Sequence, residues 1–228
     1  MRRGVTAFVN EPVHAPYFEP RWPVALTILA VFSLLVLMPG RIMLVPIWVN
    51  CVIGLAILVP IVAVGLTAAN SRWLRVERVI TLLFFVYGTF GTLIGLAKLV
   101  SLMLSQSVAI SGQQMLASSI AVWVTNVLVF TLLYWQMDCG GPEARVNKAG
   151  TRPDWLFPQM EVPDAAPIGW RSSFIDYLHL SYSTATAFST TEVAPLTSRA
   201  KMLMMLESMI SLATIVIVAS RAINILGG

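Results

Sequence analysis

Long apolar runs constrain this chain more than any other feature of its sequence. A helix needs about 20 apolar residues to cross the hydrocarbon core of a bilayer. Runs that reach or approach this length occupy residues 23–38, 46–69, 79–104, 115–137 and 200–226. Because a small water-soluble domain cannot bury so many apolar residues, the runs predict an all-α fold, a polytopic transmembrane helix bundle with five firm helices.

The charge content agrees with a membrane location. Only 11% of the residues are charged, whereas soluble domains carry roughly 25%. The formal net charge of +4 is small and dispersed, which argues against a nucleic-acid partner. Cys51 lies in an apolar run and Cys139 in a polar loop, so they predict no disulfide framework. We expect a multi-pass protein of the inner (plasma) membrane, with the lipid bilayer as its partner.

Four regions follow one another along the chain. Residues 1–22 form a polar arm, which lacks the apolar core of a signal peptide and carries Glu11 and Glu19, so we expect it to be retained. Residues 23–137 form the bundle of four transmembrane helices, and residues 138–172 a polar, proline-rich loop with little regular structure. Residues 173–228 hold a pore-helix-like segment, a Ser/Thr-rich stretch and the final transmembrane helix.

Basic residues predict the orientation, because cytoplasmic loops carry an excess of Lys and Arg. If each of the first four runs crosses once, the arm, the loop after the second run and the long loop share one side. That side holds Arg2, Arg3, Arg21, Arg72, Arg75, Arg78, Arg145, Lys148, Arg152 and Arg171. The opposite side holds Arg41 and, before the last run, Arg199 and Lys201. The N-terminus is therefore predicted to be cytoplasmic.

Tryptophans and glycines give smaller signals. Trp22, Trp48, Trp135 and Trp170 fall near run ends, where aromatic rings favour the headgroup boundary. In the third run, Gly91 and Gly95 form a small-xxx-small pair that permits close approach of another helix. We interpret the tryptophans as anchors and the glycines as ordinary bundle packing rather than as a dedicated dimer face.

The Ser/Thr-rich stretch before the last run has a distinctive order. Thr-Ala-Thr at 184–186 is followed by small polar residues, then by Glu192 and Pro195, and then by the apolar run. This order resembles the pore module of tetrameric cation channels of the potassium-channel type, over residues 174–226. In that resemblance Thr184 and Thr186 correspond to the pore-helix threonines, Glu192 to the acid after the filter and Ser211 to the hinge glycine of the inner helix. The filter positions are Ala187, Phe188, Ser189, Thr190 and Thr191.

The filter differs from that of the family, because Ser189 and Thr191 stand where the family has glycines. A carbonyl cage needs alternate residues at positive φ, which costs little for Gly and much for a β-branched Thr. The resemblance therefore implies a pore lined by hydroxyls of Thr186, Ser189, Thr190 and Thr191 and by a ring of Glu192 carboxylates. Such a homo-tetramer would attract small monovalent cations and discriminate poorly among them.

The orientation leaves two topologies open. In the channel family the segment before the pore helix lies outside the cell, but here the basic residues place it in the cytoplasm. Residues 173–191 either enter the membrane from the cytoplasm and return, or cross it completely as a sixth helix. We prefer the sixth crossing, which returns the C-terminus to the cytoplasm beside Arg221.

The whole chain also resembles a family of prokaryotic integral membrane proteins with no established activity. The likeness rests on residues 134–145, 157–160, 176–189 and 195–205. It implies a membrane location and a prokaryotic source, and it implies nothing about a substrate.

Ionisable residues inside apolar runs are costly and indicate pairing or function. Lys98 and Glu207 are candidates for mutual pairing, although Lys98 can also extend to the boundary. Glu207 takes either a structural partner or a role in a pore or in proton transfer. Asp176 and His179 share a helical face and predict a hydrogen-bonded pair rather than a pH sensor or metal site. Asn126 and Asn224 are expected to form interhelical hydrogen bonds.

Catalytic and cofactor motifs are absent from the sequence. The two histidines, His14 and His179, have no metal-ligand spacing around them, and no glycine-rich phosphate cradle occurs. We expect no enzyme activity, no cofactor and no bound metal. Three functions remain open: a cation channel, a non-conducting structural module, and a carrier that uses Glu207, Lys98 and His179. The carrier would require inverted repeats, which the sequence does not display.

Overall fold

The structure is a computed structural model that describes residues 20–37, 46, 48–49, 52–57, 59, 71–104, 112–146, 152–162, 164–186 and 192–226. Its helices are α1 (Trp22–Leu37), α2 (Ser71–Leu104), α3 (Gly112–Met137), α4 (Pro142–Val146), α5 (Pro158–Glu161), α6 (Phe174–Thr186) and α7 (Ser198–Leu226). Residues 48–49, 52–57 and 59 are also helical. A short antiparallel ladder joins β1 (Trp155–Leu156) to β2 (Ala194–Pro195).

Three helices are long and apolar enough to cross a membrane. The candidate spans are Arg75–Ser101 in α2, Gln113–Gly140 at α3 and Ser198–Ser220 in α7. These helices match the predicted runs 79–104, 115–137 and 200–226, so the predicted helical fold is confirmed, with three helices that could span a membrane. α1 matches the first run, but its apolar stretch, Trp22–Leu34, is shorter. The second run lies partly outside the described residues.

Helix α3 is the centre of the bundle, because it contacts α1, α2, α6 and α7. Its inward residues Phe130, Leu133 and Tyr134 are buried in the main apolar cluster. Thr131 is buried too, and its hydroxyl donates to the carbonyl of Val127 at 2.8 Å. The hydroxyl of Thr131 is therefore satisfied within the helix and does not prevent burial of this residue.

The close approach of α2 to α3 occurs at Gly88. A Cβ atom added to Gly88 would lie 2.8 Å from a methyl group of Val129, whereas one added to Gly91 would meet nothing within 4 Å. Gly95 also faces α3, at 3.5 Å from Val122. The sequence expectation that Gly91 and Gly95 form the packing pair is thus wrong for Gly91, and the contact uses Gly88 and Gly95.

The starts of α1 and α2 lie at the same end of the bundle as the end of α3. The guanidinium of Arg21 lies 5.0 Å from the ring centroid of Trp135, and Nη1 of Arg78 donates to the carbonyl of Gly140 at 3.2 Å. We call this end, which carries the long polar loop, the loop end. Arg21, Arg78 and the turn after α3 are therefore close together at this end.

A tight turn ends α3. Cys139, Gly140 and Gly141 all have positive φ, at 54°, 83° and 109°, and a Cβ added to Gly141 would lie 3.3 Å from the carbonyl oxygen of Gln136. The turn brings α4 back beneath the helix, where Nη1 of Arg145 donates to the carbonyls of Trp135 at 3.0 Å and Asp138 at 3.2 Å. A cation thus satisfies carbonyls that the helix end leaves unpaired.

The long loop is more ordered than its sequence predicts, because it contains α4, α5 and β1. It also contributes Trp155, which is fully buried and packs on the Tyr134 ring at a centroid distance of 4.8 Å. Trp135, expected to be a boundary anchor, is also fully buried. That expectation was wrong because Arg21 covers the Trp135 ring, whereas Trp22 and Trp48 are exposed as anchors should be.

Candidate functional site

Helices α6 and α7 start at the same end of the bundle and run in the same direction. Near the start of α6, the Tyr177 hydroxyl donates to Asp138 at 2.5 Å, and Asp138 accepts the main-chain N–H of Asp154 at 2.8 Å. Asp154 in turn binds Arg199, in the first turn of α7. Deeper in the bundle, the Ser208 hydroxyl donates to the carbonyl of Thr184 at 3.2 Å. Both starts therefore lie at the loop end.

The chain returns to the loop end between these two helices. The 13 residues of α6 rise about 18 Å, which is little more than half of a hydrocarbon core of about 30 Å. Ala194, back at the loop end, pairs with Leu156. Eight residues in extended form reach about 28 Å, so the connection is long enough. A complete sixth crossing by residues 173–191 would put the starts of α6 and α7 at opposite ends, whereas the described contacts place both starts at the loop end.

The start of α7 is held by three side chains that we call the loop clasp: Asp154, Thr197 and Arg199. Arg199 donates to both carboxylate oxygens of Asp154, with Nε and Nη2 each at 2.6 Å, and the Thr197 hydroxyl donates to Oδ1 at 2.6 Å. Asp154 is fully buried, while the Arg199 side chain is 51% exposed. The clasp therefore pairs a buried anion with a cation that stays at the aqueous boundary.

A second carboxylate, from the turn that follows α3, supports the clasp. Asp138 is fully buried and accepts from the Tyr177 hydroxyl and from the Asp154 N–H. Tyr177 lies in the first turns of α6, outside the three candidate spans. Burial raises the pKa of its phenol well above the usual value, the Arg145 guanidinium over the ring lowers it, and the Asp138 carboxylate raises it. The Tyr177 hydroxyl therefore remains a donor to Asp138.

The middle of the bundle contains a polar group that we call the Glu207 cluster: Glu207, Tyr134, Ser181, Asn126 and Ser211. Glu207 lies on α7 and is fully buried. The Tyr134 hydroxyl of α3 lies 2.5 Å from its Oε2, and the Ser181 hydroxyl of α6 is hydrogen-bonded to its Oε1. One carboxyl group thus joins three helices.

Counting hydrogens indicates how the Glu207 carboxyl is bonded. Ser181 has one hydroxyl hydrogen but two oxygen neighbours, the carbonyl of Val127 at 2.7 Å and Oε1 of Glu207. A carbonyl can only accept, so the Ser181 hydrogen goes to Val127. The contact with Glu207 then needs a hydrogen from the carboxyl itself. The geometry fits a neutral Glu207 that donates to Ser181 and accepts from Tyr134, which avoids an isolated charge in an apolar interior.

Asn126 completes the cluster one turn further along α7. Its Nδ2 donates to the main-chain carbonyl of Glu207 at 3.3 Å and to the Ser211 hydroxyl at 3.0 Å. The interhelical role predicted for Asn126 is confirmed. Ser211, for which the resemblance predicted a hinge position, is buried and accepts this hydrogen bond. Asn224, predicted to act in the same way, has no described side chain.

The predicted pore residues divide into three groups. Thr184 is buried, and its hydroxyl donates to the carbonyl of Leu180 at 2.8 Å. The Thr186 hydroxyl likewise donates to Tyr182, at 2.8 Å. Both hydroxyls are thus engaged on their own helix. Glu192 is exposed. The predicted filter residues Ala187, Phe188, Ser189, Thr190 and Thr191 lie outside the described residues.

The other predicted polar pairs have different partners. Hydroxyls of Tyr134 and Ser181, rather than the Lys98 ammonium, hydrogen-bond to the Glu207 carboxyl. Asp176 accepts from the N–H of Ser173 at 2.7 Å and from its hydroxyl at 2.8 Å. It therefore closes the N-terminus of α6 as a capping residue. His179 is exposed and makes no hydrogen bond within the described part of the chain, so the predicted Asp176–His179 pair was wrong.

Sequence reasoning missed the residues that hold the loop end together: Asp138, Asp154, Tyr177, Arg21 and Glu143. Arg21 donates to Glu143 at 2.9 Å and covers Trp135. A usable signal was Asp138, a carboxylate placed directly after an apolar run, because charges at such depth require partners. Among the described residues, no group of three or more His, Cys, Asp and Glu side chains is arranged to hold a metal ion.

Comparison of the chain with protein-family models, with curated proteins and with solved structures finds no match.

Proposed function

We propose that the chain is a channel-like membrane protein, in which α6 enters the bilayer from the loop end and the following residues return before α7 crosses. The observation that carries this proposal is the shared starting end of α6 and α7, fixed by the Asp138–Tyr177 and Asp154–Arg199 contacts. Non-helical backbone at membrane depth is tolerated only inside protein or beside water. The returning segment therefore belongs in an oligomeric pore.

The arrangement favours cations as the conducted species. Glu192 is exposed directly before the buried Val193 and the β1–β2 ladder, so its carboxylate lies near the mouth at the loop end. A ring of such carboxylates, one from each subunit of a tetramer, would concentrate cations and exclude anions. Thr184 and Thr186 do not line the path in this proposal, because their hydroxyls are bonded within α6.

The loop end faces the cytoplasm in this proposal. Basic residues are concentrated there, and the excess of Lys and Arg belongs on the cytoplasmic side. The start of α7 adds Arg199 and Lys201 to that side, whereas a sixth crossing would have placed them opposite. Five crossings then leave the C-terminus outside, on the side opposite the N-terminus.

Cation flux into liposomes that contain the purified chain tests the proposal. We expect Glu192→Gln to lower the flux severalfold and to weaken the preference for cations over anions, because the ring at the mouth loses its charge. Glu161→Gln is the matched control, since Glu161 is another exposed carboxylate of the loop end and should leave the flux unchanged. Flux that is equal in the two variants would refute the role of Glu192.

A non-conducting module is the alternative, and a specific observation favours it. The hydroxyls of Thr184, Thr186 and Ser181 all bond to main-chain carbonyls of the same protomer, as in a helix that only packs. This alternative predicts no flux from any variant and a monomer in mild detergent. A C-terminal reporter tests the topology of either candidate, because five crossings place the C-terminus outside the cell and a cytoplasmic signal would contradict them.

A further inference from the structure

A cavity of about 570 Å³ opens at the loop end, between the start of α1, the turn after α3 and the start of α6. Its wall combines two kinds of residue. Arg145 and Arg171 provide positive charge, while Trp22, Phe174 and Ile175 provide apolar surface. Neither the loop clasp nor the Glu207 cluster contributes to this cavity, so it is separate from the site described above.

The charge on the cavity wall is of one sign. Its described lining includes both arginines and no Asp or Glu. Arg145 is fixed in place by its bonds to the carbonyls of Trp135 and Asp138. Arg171 is exposed and makes no hydrogen bond or ion pair within the described ranges of the chain. An anion is therefore the complementary occupant.

Carboxylates near the cavity are bound elsewhere. The Asp138 carboxylate accepts from Tyr177 and from the Asp154 N–H. The Asp176 carboxylate accepts from the N–H and hydroxyl of Ser173. Neither one is directed at Arg171, which leaves the charge of that side chain for a ligand.

The position of the cavity identifies the class of ligand. The candidate span at α3 ends at Gly140, so the cavity lies at the level of the lipid headgroups. Trp22, which is 64% exposed, and Trp170 have the rings that favour this level. Phe174 and Ile175 continue the wall into α6. The occupant must then be anionic at one end and apolar at the other.

The charge of the cavity wall narrows the choice of headgroup further. Arg145 and Arg171 line the cavity without an Asp or Glu among its described lining. A phosphatidylglycerol headgroup carries net negative charge, whereas a phosphatidylcholine headgroup does not. The two arginines therefore favour a lipid of the first kind.

We propose that this cavity binds an anionic phospholipid of the bilayer, with its phosphate between Arg145 and Arg171 and its acyl chains along Phe174 and Ile175. Basic pockets at the cytoplasmic ends of membrane helices recognise headgroups in this way. The bound lipid would join α1, α4 and α6, whose residues form the wall. The inference is independent of conduction, because lipid binding requires neither flux nor a tetramer.

Lipid retention by the 228-residue chain tests this assignment. The protein is purified in a mild detergent, offered phosphatidylglycerol or phosphatidylcholine, and examined by native mass spectrometry. We expect wild type to retain phosphatidylglycerol and not phosphatidylcholine, and Arg171→Gln to bind the anionic lipid about tenfold more weakly, as expected for a lost charge-assisted contact. Arg152→Gln is the control, because Arg152 is an exposed loop arginine outside the cavity wall.

Each result of the lipid-retention experiment either supports or overturns the proposal. Equal retention of the two lipids by wild type, or equal loss in the Arg171 and Arg152 variants, overturns the proposal. Glycerol 3-phosphate serves as the soluble competitor. If it displaces the lipid at millimolar concentration, the site recognises a free phosphate rather than a membrane lipid, and the lipid assignment is wrong. If it does not compete, the apolar part of the ligand is required, as proposed.

Discussion

The loop clasp and the Glu207 cluster use the same functional group in opposite ways. Asp154 and Glu207 are both fully buried carboxyls. Asp154 has a guanidinium that donates twice, and that guanidinium is half exposed to solvent. Within the described part of the chain, the Glu207 carboxyl is hydrogen-bonded to two hydroxyls, and every one of these bonds has a hydrogen when the carboxyl carries a proton. The difference shows that depth in the bundle decides whether a carboxyl is paired with a charge or neutralised.

The location of each carboxyl explains this difference. At the loop end, a cation can hold a buried anion while its own charge remains hydrated. Two or three turns deeper, a cation would have to be desolvated as well, and the cost of removing two charges from water often exceeds their attraction. Hydroxyl partners avoid that cost, and they still give the three helices a specific contact.

Replacing each of the two buried carboxyls by an amide should give the largest difference in the free energy of unfolding. We expect Asp154→Asn to lower the free energy of unfolding by about 2–3 kcal/mol, because the amide cannot accept two charge-assisted bonds. Glu207→Gln should cost less than about 1 kcal/mol, since an amide donates to Ser181 and accepts from Tyr134 as a neutral acid does. Equilibrium unfolding in mixed detergent micelles measures both. Equal losses of unfolding free energy in the two variants would mean that Glu207 is ionised. The proposed difference between the two buried carboxyls would then be wrong.

A tyrosine pair sharpens the comparison with a smaller effect. Tyr134→Phe removes the donor to Oε2 of Glu207 and should cost about 1–2 kcal/mol, because a buried acceptor loses its partner. Tyr182→Phe is the control, since Tyr182 is 52% exposed and only its ring packs, on Trp123. The same unfolding measurement applies. A loss at Tyr182 as large as that at Tyr134 would show that the effect is not specific to the Glu207 cluster.

The smallest expected difference between the loop clasp and the Glu207 cluster is in how the cost of a substitution depends on salt. Raising the ionic strength from about 0.1 M to about 1 M shortens the Debye length from about 10 Å to about 3 Å. The cost of Asp154→Asn should then fall by about 0.3 kcal/mol, because Arg199 is partly exposed and screened. The cost of Tyr134→Phe should not change with salt. A salt-dependent Tyr134 effect would place a charge in the Glu207 cluster.

The sequence predicts the helices of this protein well and their polar contacts unevenly. Runs 79–104, 115–137 and 200–226 became α2, α3 and α7 because the apolar length that a bilayer requires is a local property. Asn126 was interpreted correctly for a similar reason, since an amide in an apolar helix has few options other than a neighbouring helix. The partners of Glu207 could not be predicted, because Tyr134 and Ser181 come close only after three helices have packed.

The direction of α6 is the clearest case in which local pattern was insufficient. Residues 173–191 are apolar enough to cross the membrane, and a sixth crossing agreed with the expected charge distribution. Contacts from the long loop hold the starts of α6 and α7 at one end of the bundle. The main ones are the ion pair of Asp154 with Arg199 and the strand pairing of Leu156 with Ala194. These contacts join residues about 40 positions apart, and no periodicity or motif indicates them.

The contact between Gly88 and Val129 sets how closely α2 and α3 can approach each other. The backbone of α2 meets the side chain of Val129 there with no intervening Cβ, and a Cβ added to Gly88 would lie 2.8 Å from a methyl group of Val129. Any residue larger than glycine at this position would therefore have to displace Val129 or push the two helices apart. The spacing of the two helices thus depends on the absence of a single side chain.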